Sequence, residues 1–129
     1  MKFTKRLIKG KFIKRYKRFF ADIKLNKEII TAHCPNTGSM MGLLNINNDV
    51  WISKNNDPKR KLKFTLEIIK VKNNLVGVNT HFANKIVYHG LSNNLINEFK
   101  KCDYINPEFF LTKKQDLIFL FKKKSKNFC

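Results

Sequence analysis

Apolar and polar residues alternate along much of the first 80 residues, the period of two that is typical of strands with one buried face. In residues 61–71 the even positions from Leu62 to Ile68 are apolar, and the odd positions from Lys61 to Glu67 are polar. The pattern predicts a half-buried strand there. Shorter stretches of the same kind occur in residues 7–13, 19–25, 29–34, 50–53 and 75–78. About five short strands joined by tight turns favour a small closed or nearly closed β-barrel.

The pattern changes at Asn79, after which apolar residues recur at helical spacing. The spacing predicts one or two helices over residues 81–101, interrupted near Gly90, because glycine weakens a helix interior. Two strand-like segments follow, at residues 105–111 and 117–121. A helix and two strands are too few for a domain. We therefore predict an N-terminal domain over residues 1–80 and the truncated start of a second domain over residues 81–129.

The net charge restricts the possible functions of the chain more than any other property of its composition. Among 129 residues, 27 Lys and Arg face 9 Asp and Glu, for a formal net charge of +18. AT-rich coding sequence would also raise the lysine content, but it does not account for so few acids. The balance predicts a polyanionic partner, nucleic acid first and an anionic membrane surface second. The sequence does not support a membrane role, because it predicts neither a sufficiently long amphipathic helix nor an apolar run of about 18 residues.

The three cysteines, Cys34, Cys102 and Cys129, are odd in number, and the basic N-terminus lacks the apolar stretch of a secretory signal. This favours free thiols in a cytoplasmic protein. We expect Cys34 and Cys102 to be small buried hydrophobes. His33 is adjacent to Cys34, but neighbours on a strand point to opposite faces, so they form no Cys–His pair.

Two basic clusters are the candidates for contacts with nucleic acid. They contain three of the four arginines of the chain, and a guanidinium can hold a phosphate with two hydrogen bonds. The candidate contacts are Lys14, Arg15, Lys17 and Arg18 in the first cluster and Lys59, Arg60 and Lys61 in the second. Among the aromatic residues, Tyr16 is either a stacking platform or a cover for the barrel. We place Phe12, Phe19, Phe20 and Phe64 in the core.

Asn36, Thr37 and Ser39 surround Gly38 in a turn-rich stretch. Their side chains and backbone N–H groups can form a small anion-binding nest that suits a phosphate oxygen. The alternative is a turn in which Asn36 and Thr37 bond only to the local backbone.

Several segments together closely resemble one family, that of sugar fermentation stimulation protein A. They are residues 15–22 (RYKRFFAD), 33–40 (HCPNTGSM), 59–62 (KRKL) and 77–80 (GVNT), followed by Ala83-Asn84. The resemblance implies an OB-like barrel followed by a domain similar to the PD-(D/E)xK nucleases. It also implies DNA binding linked to the regulation of sugar use. The octapeptide of residues 33–40 is the most distinctive of these segments, which favours the anion-binding interpretation of residues 36–39.

The chain departs from the family pattern after the helix. The resemblance implies a Glu after the helix, then an Arg-x-Asp-Phe segment and then a Glu-x-Lys strand. Here Glu108 stands at the position of that Glu, Asp116 lies in a degraded copy of the Arg-x-Asp-Phe segment, and the Glu-x-Lys strand is missing. A premature stop after a frameshift near residues 113–114 is our hypothesis for this difference. Glu108 and Asp116 are then vestiges of a metal site, and Mg²⁺ would bind only in a full-length relative.

We therefore predict a DNA-binding protein without catalysis or cofactor and with weak sequence selectivity. The alternatives are a nuclease-like enzyme with an incomplete metal site and a non-functional gene remnant. The oligomeric state and the choice between single- and double-stranded DNA stay open.

Overall fold

The computed structural model describes residues 2–99, 104–109 and 118–122. Its strands are β1 (Ile8–Tyr16), β2 (Phe20–Leu25), β3 (Glu28–His33), β4 (Asp49–Lys54), β5 (Phe64–Val71), β6 (Asn74–Gly77), β7 (Tyr104–Phe109) and β8 (Ile118–Lys122). One α-helix, α1 (Ala83–Ser92), lies between 3-10 turns at Thr80–Phe82 and Asn97–Phe99. Within these residues no helix is both long and apolar enough to span a membrane.

Strands β1 to β5 close into a barrel. They follow the order β3-β2-β1-β4-β5, and β5 returns to pair with β3. The closing pairing is parallel, with Ala32 opposite Phe64 and His33 opposite Thr65, whereas the other pairings are antiparallel. A closed barrel of five strands in this order is OB-like, which confirms the predicted fold class for this part of the chain. Strand β6 pairs with the C-terminal half of β5, beyond the residues that pair with β3.

The barrel interior is filled by the alternate side chains of its strands. Burying each of the larger ones stabilises the fold by about 1.5–3 kcal/mol. The largest fully buried side chains are Phe12, Ile23, Val50, Ile52, Leu66, Ile69 and Val78. Phe12 therefore lies in the core as predicted, while Phe64 is only partly buried against it.

The strict alternation expected in residues 61–71 is wrong at Glu67. Trp51 pairs with Ile68 and Ile52 pairs with Leu66, so Glu67 is an extra residue in β5 without a counterpart in β4. Because of this bulge, Leu66 and Ile69 both reach the core. Glu67 is only 4% exposed, although the sequence pattern placed it on the solvent face.

The carboxylate of Glu67 is fully engaged by two neighbouring side chains. The Ser53 hydroxyl donates to Oε1 at 2.6 Å, and Asn79 Nδ2 donates to Oε2 at 2.8 Å. The Glu67 carbonyl also accepts the Val78 N–H at 2.9 Å. These bonds hold the segment after β6 against β5, and they compensate the burial of the acid.

Residues 2–80 form one compact unit, and a second unit begins at His81. In the second unit α1 runs through Gly90 to Ser92, so the interruption predicted near Gly90 lies at residues 93–96 and not at the glycine itself. The helix ends instead in a Schellman motif, with Asn94 at φ +54°. The Asn94 N–H bonds to the Leu91 carbonyl at 3.1 Å, and the Leu95 N–H bonds to the Gly90 carbonyl at 2.9 Å.

Strands β7 and β8 pair in antiparallel fashion in this second unit. They correspond to the two strand-like segments predicted after the helix. The proposal that this unit is nuclease-like stays a prediction.

Candidate nucleic-acid interface

Three rings stand side by side on the outer face of the barrel. Tyr16 of β1 pairs with Phe20 of β2, which in turn pairs with His33 of β3. Directly paired residues share one face of a sheet, so we call these three residues the aromatic row. The Tyr16 and Phe20 rings are stacked, with centroids 5.5 Å apart and planes 14° apart. Phe19, next to the row, lies 6.3 Å from the His33 ring at a tilt of 30°.

The aromatic row is open to solvent at the end near the β1–β2 loop. Tyr16 is 37% exposed and Phe19 is 42% exposed. The prediction that Phe19 lies in the core is therefore wrong, and Phe20 is only half-buried on the outer face. Residues 17–19 form the loop between paired Tyr16 and Phe20, so Phe19 falls outside the alternation of the strand.

The β1–β2 loop carries its two cations at the tip. Lys17 and Arg18 have positive φ angles of 47° and 62°, and both side chains are exposed. For residues with a Cβ this left-handed backbone costs about 1–2 kcal/mol each. The tight turn therefore projects two basic side chains beside the aromatic row at an energetic cost.

Asp22 fixes the Tyr16 ring from the same face of the sheet. The Tyr16 hydroxyl donates to Asp22 Oδ1 at 3.2 Å, and the Thr31 hydroxyl donates to the same atom at 2.8 Å. Lys14 Nζ lies 3.8 Å from the other carboxylate oxygen and 5.3 Å from the centre of the Tyr16 ring. Lys14 thus places a positive charge directly at the Tyr16 end of the aromatic row.

Arg15 lies opposite the buried Ala21, so it is on the inward-facing side of β1, and its side chain is half-buried. Its Nε donates to the Arg18 carbonyl at 2.7 Å, its Nη1 to the Gly38 carbonyl at 2.8 Å and its Nη2 to the Asn36 carbonyl at 2.6 Å. This guanidinium ties the β1–β2 loop to residues 36–38. Of the cations predicted to contact phosphate, Arg15 is the one that the structure uses to position backbone.

The loop of residues 35–39 is held at several further points. The Asn36 side chain accepts the Gly38 N–H at 2.9 Å and donates to the Val78 carbonyl at 3.0 Å. The Thr80 hydroxyl donates to the Pro35 carbonyl at 2.7 Å. The Asn36 amide therefore bonds to backbone groups, one within the loop and one in the distant segment after β6, so it is not confined to the local backbone as the alternative interpretation of this turn expects. Thr37 and Ser39 are exposed, and their part in anion binding stays a prediction.

Cys34 lies beneath this loop as the small buried hydrophobe that the sequence predicts. It is fully buried, and its Sγ lies 3.6 Å from Met40 Sδ. Burial raises the pKa of the Cys34 thiol, and the nearby Arg15 charge opposes that rise only in part. The thiol is therefore a poor nucleophile at neutral pH.

The second basic cluster lies in the loop between β4 and β5, residues 55–63. Asp57 organises this loop by accepting the Lys59 N–H at 2.9 Å and, through its carbonyl, the Arg60 N–H at 3.2 Å. Arg60 Nη2 donates to the Thr65 hydroxyl at 3.2 Å, and Thr65 pairs with His33 across the barrel closure. Arg60 thus stands at the His33 end of the aromatic row. Lys59 and Lys61 are exposed on the same loop.

A third group of cations, not predicted from the sequence, lies on the outer face. Lys9, Lys11 and Lys24 line a shallow cleft of about 450 Å³ together with Asp49. Lys11 Nζ lies 2.6 Å and Lys9 Nζ 2.9 Å from the Asp49 carboxylate, and these bonds lower the pKa of Asp49 to about 2. The alternation of Lys9, Lys11 and paired Asp49 on neighbouring strands was the available signal.

Comparison with known proteins decides the family. The family model described as the SfsA N-terminal OB domain matches residues 13–78, which is half of the chain. The chain belongs to the sugar fermentation stimulation protein family. The family resemblance stated from the sequence is therefore confirmed.

Curated relatives agree with this assignment. The sugar fermentation stimulation protein homolog of Pelagibacter ubique (strain HTCC1062) is 68% identical over 123 residues, which cover 95% of this chain and 53% of that protein. The homolog of Alteromonas mediterranea is 48% identical over 101 residues, 77% of this chain and 42% of that protein. The chain thus spans about half the length of the curated sugar fermentation stimulation protein homologs that it matches.

A solved structure of the family supports the fold. The structure of Pyrococcus furiosus SfsA in complex with Ca²⁺ superposes with a TM-score of 0.79 at 17% identity. The likeness covers 96% of this chain and 52% of that one. At this identity it is the fold that the two proteins share.

The vestigial metal site predicted for this family member lies outside the described side chains. The backbone of Glu108 belongs to β7, but its side chain and the whole of Asp116 are not described. Among the side chains that are described, no three His, Cys, Asp or Glu residues are grouped to hold a metal ion. The family model matches the barrel, so it gives the nuclease alternative no support.

Proposed function

We propose that this member of the family binds DNA through the outer face of β1, β2 and β3, without catalysis and with weak sequence selectivity. The observation that carries the proposal is the aromatic row, bounded by Lys14 and the β1–β2 loop at one end and by Arg60 at the other. We call this surface, with its two basic loops, the row face.

The chemistry of the row face suits a polyanion with flat bases. Lys and Arg side chains neutralise phosphates, and aromatic rings stack on bases. In OB-like barrels the β1–β2 and β4–β5 loops and the face of strands 2 and 3 are the parts that bind oligonucleotides. Here the β1–β2 loop carries Lys17 and Arg18 of the first basic cluster, and the β4–β5 loop carries the whole second cluster. A ring offers the same surface to every base, so this face supports little base discrimination.

The printed name of the relatives points to a physiological setting. They are called sugar fermentation stimulation protein homologs. We propose that DNA binding by this chain contributes to the regulation of sugar metabolism. This part of the proposal rests on the family name alone.

A salt series with a matched pair of variants tests DNA binding. The chain is titrated into fluorescent DNA at several salt concentrations, together with Arg18→Gln/Arg60→Gln and the control Lys27→Gln/Lys72→Gln. Both variants lose two positive charges, but the control changes exposed turns after β2 and β5. Each lost phosphate contact flattens the slope of log K against log salt by about 0.7–0.9.

We expect the arginine variant to bind more weakly and with a flatter slope, and the control to follow the unmodified chain. Equal weakening by both variants would mean that net charge, not the row face, governs binding. Absence of binding by the folded unmodified chain would refute the proposal as a whole. Thermal melting of each variant confirms that it is folded.

A further inference from the structure

We infer that the DNA bound by the row face is single-stranded, with unpaired bases stacked on Tyr16 and Phe19 and along the aromatic row. The inference rests on the proposed DNA binding and adds the state of the strand. It follows from the accessibility of the rings, their spacing, and the arrangement of the charges around them.

Two of the rings are partly open to solvent. Tyr16 and Phe19 keep 37% and 42% of their surface open to solvent. The bases of a duplex are already stacked on one another and turned inward. Only an unpaired strand can lay its bases on these rings, and such stacking is a principal source of affinity for single strands.

The spacing of the row suits successive bases. Neighbouring strands lie about 4.8 Å apart, so Tyr16 and His33, two strands apart, are separated by about 10 Å. The Tyr16 and Phe20 centroids, 5.5 Å apart, fit that ladder. A row of this width accommodates about two or three bases, as on other sheets that bind unpaired strands.

The charges lie at the ends of the row rather than across it. Lys14 stands over Tyr16, the exposed Lys17 and Arg18 project from the adjoining loop, and Arg60 reaches Thr65 beside His33. A single strand crossing the row can therefore place phosphates at both ends while its bases cover the apolar middle.

The face is also organised before any ligand arrives. Asp22 holds the Tyr16 hydroxyl, and Arg15 holds the loop that carries Phe19 through the Arg18 carbonyl. Ordering costs on binding are correspondingly small. Asp22 is itself bonded to Thr31 and lies 3.8 Å from Lys14, so its charge is partly balanced on the face where phosphates would approach.

The test compares one strand with two. Fluorescence anisotropy of the full chain is measured against an oligothymidine of about 12 nucleotides, within the range of roughly 4–16 that one OB barrel covers. A duplex of the same length is measured at the same salt concentration. We expect the single strand to bind at least about tenfold more tightly than the duplex.

Two ring variants locate the stacking. We expect Tyr16→Ala and Phe19→Ala each to weaken oligothymidine binding by about tenfold and to change duplex binding by less than about twofold. Tyr16→Phe keeps the ring and is expected to keep the affinity. Leu75→Ala, an exposed apolar truncation on β6, and Tyr88→Ala, an exposed tyrosine on α1, are the matched controls. Both controls are expected to bind like the unmodified chain.

The outcomes separate the two proposals. Equal or tighter binding of the duplex overturns the single-strand inference but leaves DNA binding in place, whereas binding of neither probe overturns both. Retained oligothymidine affinity in Phe19→Ala and Tyr16→Ala also overturns the inference. Should Tyr16→Ala melt early because Asp22 loses a partner, Phe19→Ala decides, since Phe19 lies in the exposed β1–β2 loop.

Discussion

Arg15 Nη2 donates a hydrogen bond of 2.6 Å to the carbonyl oxygen of Asn36, joining two segments that lie 21 residues apart in the chain. The same guanidinium holds Arg18 and Gly38. The two most distinctive sequence segments, the basic aromatic run and the octapeptide, are therefore one structural assembly. A change in either one alters the geometry of the β1–β2 loop, and with it the exposed end of the row face.

The first prediction concerns this assembly. Arg15→Lys keeps the charge but cannot reproduce a planar fork that reaches three carbonyls at once. Hydrogen bonds from charged groups contribute about 1.5–3 kcal/mol each. We expect Arg15→Lys to lower the free energy of unfolding by about 2–3 kcal/mol, measured by urea denaturation.

Arg18→Lys is the control for that experiment. Its side chain is exposed, so we expect a change within about 0.5 kcal/mol. If Arg15→Lys were as stable as Arg18→Lys, the three bonds of Arg15 would not be what holds the two segments together.

The strained tip of the β1–β2 loop yields a second prediction. Lys17 has a φ of +47°, which glycine adopts freely and lysine does not. We expect Lys17→Gly to raise the free energy of unfolding by as much as about 1 kcal/mol, because relief of the strain exceeds the added entropy of the unfolded chain. Urea denaturation measures the change.

The matched control is Lys27→Gly in the β2–β3 turn, where Asn26 rather than Lys27 takes the positive φ. At this position glycine increases the entropy of the unfolded chain without relieving any backbone strain, so we expect the free energy of unfolding to fall. Stabilisation of both variants by the same amount would show that charge reduction, not backbone strain, is responsible.

The barrel was predictable because its signals are local. Alternation in the N-terminal 80 residues, together with turn residues such as Asn26, predicts strand positions close to the observed ones. The prediction that Phe12 lies in the core is confirmed. What alternation cannot reveal is an extra residue. The bulge at Glu67 depends on its pairing with β4, a contact between distant segments, and it reverses which later positions face inward.

The end of α1 was also predicted less accurately than the presence of the helix. Gly90 suggested a break, but one glycine costs only about 1 kcal/mol and the helix continues through it. The end is set by Asn94, since asparagine tolerates the left-handed conformation of a helix C-terminus. This asparagine is a helix-end signal that the sequence itself contains.

The sequence indicated which kinds of residue form the candidate site, but not what each side chain contacts there. The basic clusters were found, but the inward position of Arg15 depends on the β-bulge between Phe12 and Lys14. The exposure of Phe19 depends on the length of the β1–β2 loop. The row of Tyr16, Phe20 and His33 appears only once three strands are in register, which composition and spacing do not determine.

The third prediction addresses the buried acid at the bulge. Glu67→Ala leaves Ser53 and Asn79 without their acceptor and opens a void, so we expect a loss of about 2–4 kcal/mol in the free energy of unfolding. Glu67→Gln keeps the shape, and the Ser53 hydroxyl can accept from the new amide while Asn79 donates to its oxygen. We expect a markedly smaller loss for this variant in the same denaturation series. Equal losses would mean that the negative charge itself, rather than the bonding geometry, is what the site needs.

The last prediction is a pH dependence that originates at Asp49. Bonds to Lys11 and Lys9 lower its pKa in the folded state to about 2, below the usual value of about 3.9 in an unfolded chain. Because the folded pKa is the lower one, ionised Asp49 stabilises the fold above about pH 4. That contribution declines as the pH falls from about 4 through 2, where the folded state also takes up the proton.

The measurement is the difference in unfolding free energy between the unmodified chain and Asp49→Asn across this pH range. We expect a constant difference in favour of the unmodified chain above about pH 5, which shrinks between about pH 4 and pH 2. Since Lys9 and Lys11 are 58% and 52% exposed, added salt is expected to reduce the plateau. A difference that stayed level down to pH 2 would contradict the prediction, because stability depends on pH at this site only if folding changes the pKa of Asp49.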